Sequence, residues 1–343
     1  VEIGHRAENI GDADLVLASS AVPDGNVELM SARQRGIRVA RRPEFLSTLT
    51  GGYDVIAVAG AHGKTTVTGM ITLVLREAGL DPTYIIGGVL ANLGTNGAAG
   101  EGRHFVIEAD EYRKTFLALR PTIAVVTNVE FDHPDCFPDI RFVRLAFGEF
   151  VENIEPEGLL VACFDDEIAR AIAASHHANG GRVMLYGRAS DVELLASDLA
   201  WRAADIQGNA GGGVSFTAIR GGDVMGRIDL RVPGEFNALN ALAALSVATA
   251  LDIEWACAKR ALERFEGTAR RFEVLGEAAG VTVIDDYAHH PTQIRGVLRA
   301  ARSRYGDRRI VAVWEPHTFS RIRALQDAFM HAFDEAEIGR AHV

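Results

Sequence analysis

Apolar positions in this chain fall into short runs rich in Val and Ile, and the runs alternate with longer stretches of helical spacing. A short unbroken apolar run suits a strand buried on both faces, so the alternation predicts parallel-sheet α/β architecture. Leu15–Ser19 reads as such a strand, followed by a Pro-Asp-Gly turn and a helix over about Asn26–Gly36. The Gly51-Gly52 pair sets this piece apart from a new strand, Asp54–Ala59, and a helix over about Lys64–Ala78. Further strands are expected at Phe105–Glu108, Ile123–Thr127, Leu159–Ala162 and Val183–Tyr186. The pattern changes between about residues 198 and 232, where Val214–Ile219 and Asp223–Val232 flank Arg-Gly-Gly and read as an antiparallel hairpin. Two Ala-rich helices follow, about Asn237–Leu251 and Glu254–Phe265. A second α/β block begins near Thr268, with strands at Phe272–Leu275 and Val281–Ile284, a helix after Pro291, a strand at Ile310–Val313 and a helix from Ser320. The layout is three α/β units, the outer two incomplete.

Composition narrows the function classes. The chain has 343 residues, 48% hydrophobic and 24% charged, which suits a soluble globular protein of two or three domains. A net charge of −11 argues against non-specific nucleic-acid binding, which needs a basic surface. Cys136, Cys163 and Cys257 are far apart and show neither a disulfide framework nor zinc spacing. No apolar run is long enough to span a membrane and no leader opens the chain, so a cytoplasmic location is expected. Both ends read as cut: the opening resembles the middle of an α/β domain. The last seven residues, Glu337 to Val343, break the preceding helical pattern and match a translated sequencing adapter, so a foreign tail is expected there.

The strongest chemical signal is a buried strand that runs into Gly60-Ala61-His62-Gly63-Lys64-Thr65-Thr66 just where a helix starts. Glycines let successive backbone N–H groups turn inward around an anion, and the helix N-terminus adds unsatisfied donors and dipole charge. Lys64 is placed to meet the β- and γ-phosphates of a nucleotide, and the Thr65 hydroxyl to ligate Mg²⁺. The spacing departs from the common P-loop, since Val58 stands where its first glycine would be.

Two acidic clusters stand at later strand ends: Glu108, Asp110 and Glu111, then Glu130 and Asp132 with Asn128 and His133. In open α/β sheets ligands lie at the carboxyl ends of strands, so both clusters should converge on the phosphate loop, where hard oxygen donors suit Mg²⁺. Asn237 and Asn240 carry both donor and acceptor groups and could read an adenine edge, or serve as a helix cap and a packing residue. Asp285-Asp286-Tyr287-Ala288-His289-His290-Pro291-Thr292 follows a buried strand and opens a helix, an unusual concentration of polar chemistry for purely structural use.

The loop resembles the Gly-Thr-His/Asn-Gly-Lys-Thr-Thr pattern of the Mur ligase family, with Ala61 in the place of Thr. The resemblance extends to Asn237 and Asn240 (with Phe236 where the family has His), to Phe265–Phe272 as a hinge, to the Asp285–Thr292 run and to Trp314–Arg321. It implies three domains, at 1–50, 51–267 and 268–343: a partial Rossmann-like sugar-nucleotide domain, a central ATP-binding domain and a partial Rossmann-like ligase domain. It further implies Thr65, Glu108 and His133 as magnesium ligands, with Asp286, His289 and Arg321 facing the nucleotide and substrates. The implied reaction is ATP-dependent joining of L-alanine to UDP-N-acetylmuramate through an acyl phosphate. Glu-Ala-Asp-Glu-Tyr and Glu-Phe-Asp-His keep a tripeptide acceptor open, while Pro316-His317-Thr318-Phe319 favours L-alanine. The glycine-rich loop expected to hold the sugar nucleotide's pyrophosphate would precede residue 1. A P-loop switch that merely hydrolyses nucleotide is the rival class, and it leaves the Asp285–Thr292 run without a role. A redox dinucleotide turn would have no Lys at position 64.

Overall fold

The computed structural model describes residues 2–19, 22–188 and 201–341. Ser20 and Ala21, and residues 198–200, where the pattern was expected to change, lie outside them.

Residues near the amino terminus form strand β1 (Leu15–Ala18), helix α1 (Val27–Gln34), strand β2 (Arg38–Arg41) and helix α2 (Arg42–Leu49). Asn26 caps α1 by accepting the backbone N–H groups of Glu28 and Leu29. β2 pairs parallel with β1 and was not anticipated, because its arginines hide the apolar alternation.

The central unit starts with β3 (Asp54–Ala59) and α3 (Lys64–Glu77), followed by β4 (Thr83–Leu90), β5 (Thr95–Ala98), β6 (His104–Glu108) and β7 (Ile123–Val126). Next come α4 (Ile140–Glu152), β8 (Leu159–Cys163), α5 (Glu167–Ala178) and β9 (Arg182–Gly187). It closes with β10 (Trp201–Gly208), β11 (Val214–Arg220), β12 (Asp223–Asp229), α6 (Glu235–Ala250) and α7 (Trp255–Glu263). These strands make one ten-stranded sheet in the order β12-β11-β10-β9-β8-β7-β3-β6-β4-β5. From β4 to β10 neighbouring strands run parallel. The hairpin β11–β12 was expected; its attachment through β10 to the same sheet was not.

β3 sits mid-sheet with Val55 to Ala59 all buried, which is why its sequence is apolar on both faces. One face packs Val67, Met70, Ile71 and Val74 of α3 with Ala241, Leu245 and Ala248 of α6. The other packs Val143, Phe147 and Phe150 of α4 with Ala169 and Ile172 of α5. The result is a three-layer sandwich whose central strands end at the phosphate loop.

The carboxyl-terminal block has β13 (Glu273–Ala278) and β14 (Val281–Asp285) as an antiparallel pair, then α8 (Pro291–Tyr305) and β15 (Val311–Trp314). The helix expected from Ser320 is two short ones, α9 (Phe319–Ala324) and α10 (Gln326–Met330). Residues 338–341, inside the stretch expected to be foreign, form β16 (Ile338–Ala341), which pairs parallel with β15. Among the described residues no helix is long and apolar enough to cross a membrane.

Candidate active site

The turn between β3 and α3 takes its shape from its own glycines and from the end of β7. Gly60 and Gly63 have φ of +145° and +82°, conformations that glycine reaches without steric cost. A Cβ on Gly60 would come within 2.0 Å of the Thr127 hydroxyl, and one on Gly63 within 2.7 Å of Asn240 Oδ1. Asn128 accepts the His62 backbone N–H at 2.8 Å through Oδ1, and its carbonyl accepts that of Ala61 at 3.1 Å. The His62 carbonyl accepts the Thr127 hydroxyl at 2.6 Å and Asn128 Nδ2 at 3.0 Å. Thr127 and Asn128 therefore mould the loop, a role not legible in the sequence because it arises from the β3–β7 pairing.

Lys64 opens α3 and curls back over the loop. Its ammonium donates to Glu111 at 2.8 and 3.0 Å and to the Gly60 carbonyl at 2.5 Å. Burial alone would depress the Lys64 pKa, but the carboxylates of Glu111, Glu108 and Asp110 outweigh it and hold the pKa above its ordinary value. Beside it the Thr65 hydroxyl donates to Glu108 Oε2 at 3.0 Å, an oxygen that also receives the Gly87 N–H at 2.8 Å. A Cβ on Gly87 would stand 2.2 Å from that same oxygen, so Gly87 keeps room for the carboxylate.

His133 stands at the edge of this cluster rather than against Thr65. Its Nε2 is 3.9 Å from Glu111 and 3.8 Å from Asp132, and its ring lies 4.9 Å from that of Tyr112. Thr65 and Glu108 thus touch each other, while His133 meets Glu111, the partner of Lys64. Thr65 and Glu108 offer adjoining hard oxygens of the kind that suits a magnesium ion.

A cavity of about 620 Å³ runs from His62, Gly63, Thr65 and Thr66 to Phe236, Asn237 and Asn240. The expected phosphate and adenine ends therefore line one space. Asn237 and Asn240 are buried and bonded to each other: Asn237 donates to the Pro233 carbonyl at 2.7 Å and accepts Asn240 Nδ2 at 3.0 Å. Asn240 also packs on the loop through Gly63. Arg271, from the hinge run, lines the same cavity with Arg295 and Arg299 of α8, a cationic wall not anticipated.

Three residues of the carboxyl-terminal block behave differently from one another. Asp286 lines the cavity, but its carboxylate accepts the backbone N–H groups of Phe272 and Ala288 at 2.8 and 2.7 Å, and burial raises its pKa. His289 turns to Asp132, 4.0 Å away, and burial with the nearby Arg321 holds its pKa down to about 4. Arg321, expected near the substrates, is buried against Asp132.

A strand, an anion-cradling turn and a lysine-headed helix, facing carboxylates across a cleft that a second block covers, define a P-loop enzyme that handles nucleoside triphosphates. The pattern of the Mur ligase middle domain matches residues 58–248, that of the Mur ligase glutamate ligase domain residues 270–341, and that of the Mur ligase family catalytic domain residues 1–54. This chain belongs to the Mur ligase family. It is 45% identical, over 96% of its length and 70% of the relative's, to UDP-N-acetylmuramate–L-alanine ligase of Frankia casuarinae. A ligase of that name from Renibacterium salmoninarum is also 45% identical, over 98% of this chain and 70% of its own. The solved UDP-N-acetylmuramate-alanine ligase of Thermotoga maritima superposes with a TM-score of 0.79 at 26% identity, covering 99% of this chain and 79% of that one. A murein peptide ligase from Psychrobacter arcticus superposes at 0.71, also at 26% identity, covering 99% and 80%.

Proposed function

We propose that this chain joins L-alanine to the lactyl carboxylate of UDP-N-acetylmuramate at the expense of ATP, forming UDP-N-acetylmuramoyl-L-alanine, ADP and phosphate, in the cytoplasm. The observation that carries the reading is the cavity joining the phosphate loop to Phe236, Asn237 and Asn240, roofed by a block whose helix α8 reaches the loop itself: Gln293 Nε2 lies 2.9 Å from His62 Nδ1. In this reading the chain divides at 1–50, 51–267 and 268–343, for sugar nucleotide, ATP and ligation.

The turn from Gly60 to Thr66 holds the triphosphate, and Lys64 leaves Glu111 to stabilise negative charge on the γ-phosphoryl. The lactyl carboxylate attacks that phosphorus, ADP leaves, and an acyl phosphate remains. The amine of L-alanine then attacks the acyl carbon, the carbon–oxygen bond to phosphate breaks, and the amine loses a proton. Thr65 and Glu108, with His133 alongside, would hold Mg²⁺, which when bound neutralises phosphate charge. Asp286 fixes the hinge at Phe272 through its backbone bonds and so sets the roof.

The test is ADP release measured with UDP-N-acetylmuramate while L-alanine is varied. Release that saturates with L-alanine, with amide formed in step, is expected; release indifferent to it would make the protein a nucleotide switch. A tripeptide acceptor is the second reading, supported by the superposition on a murein peptide ligase. Its preference over L-alanine in direct competition would establish it.

A further inference from the structure

Three consecutive residues after β7 each hold a different group of the carboxyl-terminal block. Glu130 accepts the Thr292 hydroxyl at 2.8 Å and lies 3.4 Å from His290 Nδ1. The Phe131 carbonyl accepts His290 Nε2 at 3.3 Å. Asp132 receives the Arg321 fork at 2.6 and 3.2 Å, with side chains only 5% and 3% exposed.

The same strip reaches the phosphate loop. Gln293 Oε1 accepts the backbone N–H groups of His289 and His290, so its Nε2 is the end that donates to His62 Nδ1 at 2.9 Å. A neutral His62 ring then carries its proton on Nε2, on the side of Glu130 Oε2, 3.2 Å away though off the line of a hydrogen bond. His62 and Glu130 thus bind neighbouring residues at the start of α8, and Asp132 binds the start of α9.

A buried ion pair adds little net stability compared with apolar packing, but losing one partner is costly and its geometry is exacting. At a seam between two blocks that combination selects one closed arrangement. We propose that Glu130–Phe131–Asp132 is the docking strip that seats the carboxyl-terminal block over the phosphate loop, with Glu130 and Asp132 as positioning residues that keep water from the acyl phosphate. This rests on the ligase reading above. When the strip fails, the oxygen of water attacks the acyl carbon, the bond to phosphate breaks, and the original carboxylate returns: ATP is consumed without an amide.

The experiment measures ADP and amide in the same reaction, with ATP, UDP-N-acetylmuramate and L-alanine, for the wild type, Asp132→Asn and Thr292→Val. ADP released per amide formed should rise about tenfold in Asp132→Asn, equivalent to roughly 1.4 kcal/mol of lost closure, and less in Thr292→Val. Hydrogen exchange along α8 in the ATP-bound protein should quicken in both variants. If Asp132→Asn does not fold, Thr292→Val, which removes one hydroxyl without changing shape, decides alone. A ratio equal to wild type in the folded variants overturns the strip while leaving the ligase reading intact. Wild-type ADP release indifferent to L-alanine overturns the reading itself.

Discussion

Two cations, Lys64 half-buried and Arg321 buried, meet carboxylates around this site, and they are built for different tasks. Lys64 pairs with Glu111 inside the central unit, on a flexible stem whose three donors can turn to another anion. Arg321 comes from the carboxyl-terminal block and meets Asp132 through a planar fork that tolerates little movement. Glu108 and Asp110 add negative charge around Lys64, whereas burial that would raise the Asp132 pKa is overcome by Arg321 and His133, which hold it well below the usual carboxylate range. The contrast teaches that a lysine pair suits a site where one anion replaces another. An arginine pair suits a seam where position must be registered.

The sharpest way to break the comparison is Lys64→Ala. It should lower ADP release by about 10³-fold, as removal of a preorganised charge-stabilising donor does; a steady-state assay near the wild-type rate would refute the role given to Lys64. Arg321→Ala should leave Asp132 buried and unpaired at a cost of about 3–5 kcal/mol, read by chemical denaturation, with Arg321→Lys losing less. Equal losses in the two would mean that the fork geometry is irrelevant. Gly87→Ala pushes a methyl group into Glu108 and should weaken magnesium-dependent ATP binding by about tenfold with an unchanged circular dichroism spectrum. Titrating a fluorescent ATP analogue at several magnesium concentrations checks it.

The smallest effect concerns pH. The His289 pKa is lowered from 6.5 to about 4 in the fold, by burial first and Arg321 next. The unfolded chain therefore takes up the proton first, so this residue's contribution to stability is full above pH 6.5 and falls as the pH drops towards 4. Thermal melts of His289→Asn should lose that slope across the same window. Glu130 acts in the same sense, lower down. Burial would raise its pKa, but His62 and Thr292 bring it to about 2, so its share persists above 4.5 and fades only below.

Much of the central unit was legible. β3, β6, β7, β8 and β9 were placed within a residue or so, because strands buried on both faces must be apolar throughout. β2 and β4 escaped, the first masked by arginines and the second by its glycines, Gly87 and Gly88. In the site, the phosphate loop, both carboxylate clusters and the asparagines were all visible as residue types at strand or helix ends. Their pairings were not: Glu111 holds Lys64, Asn240 backs Gly63, and Arg321 answers Asp132.

What the sequence determined by itself is the anion-cradling turn and the strands leading to it, because glycine dihedrals, helix starts and apolar runs are local properties of neighbouring residues. Only the tertiary structure decided which carboxylate meets which cation. Glu130 and Thr292 are separated by 162 positions, and Asp132 and Arg321 by 189. No spacing rule spans such distances; the packing of one block on another does.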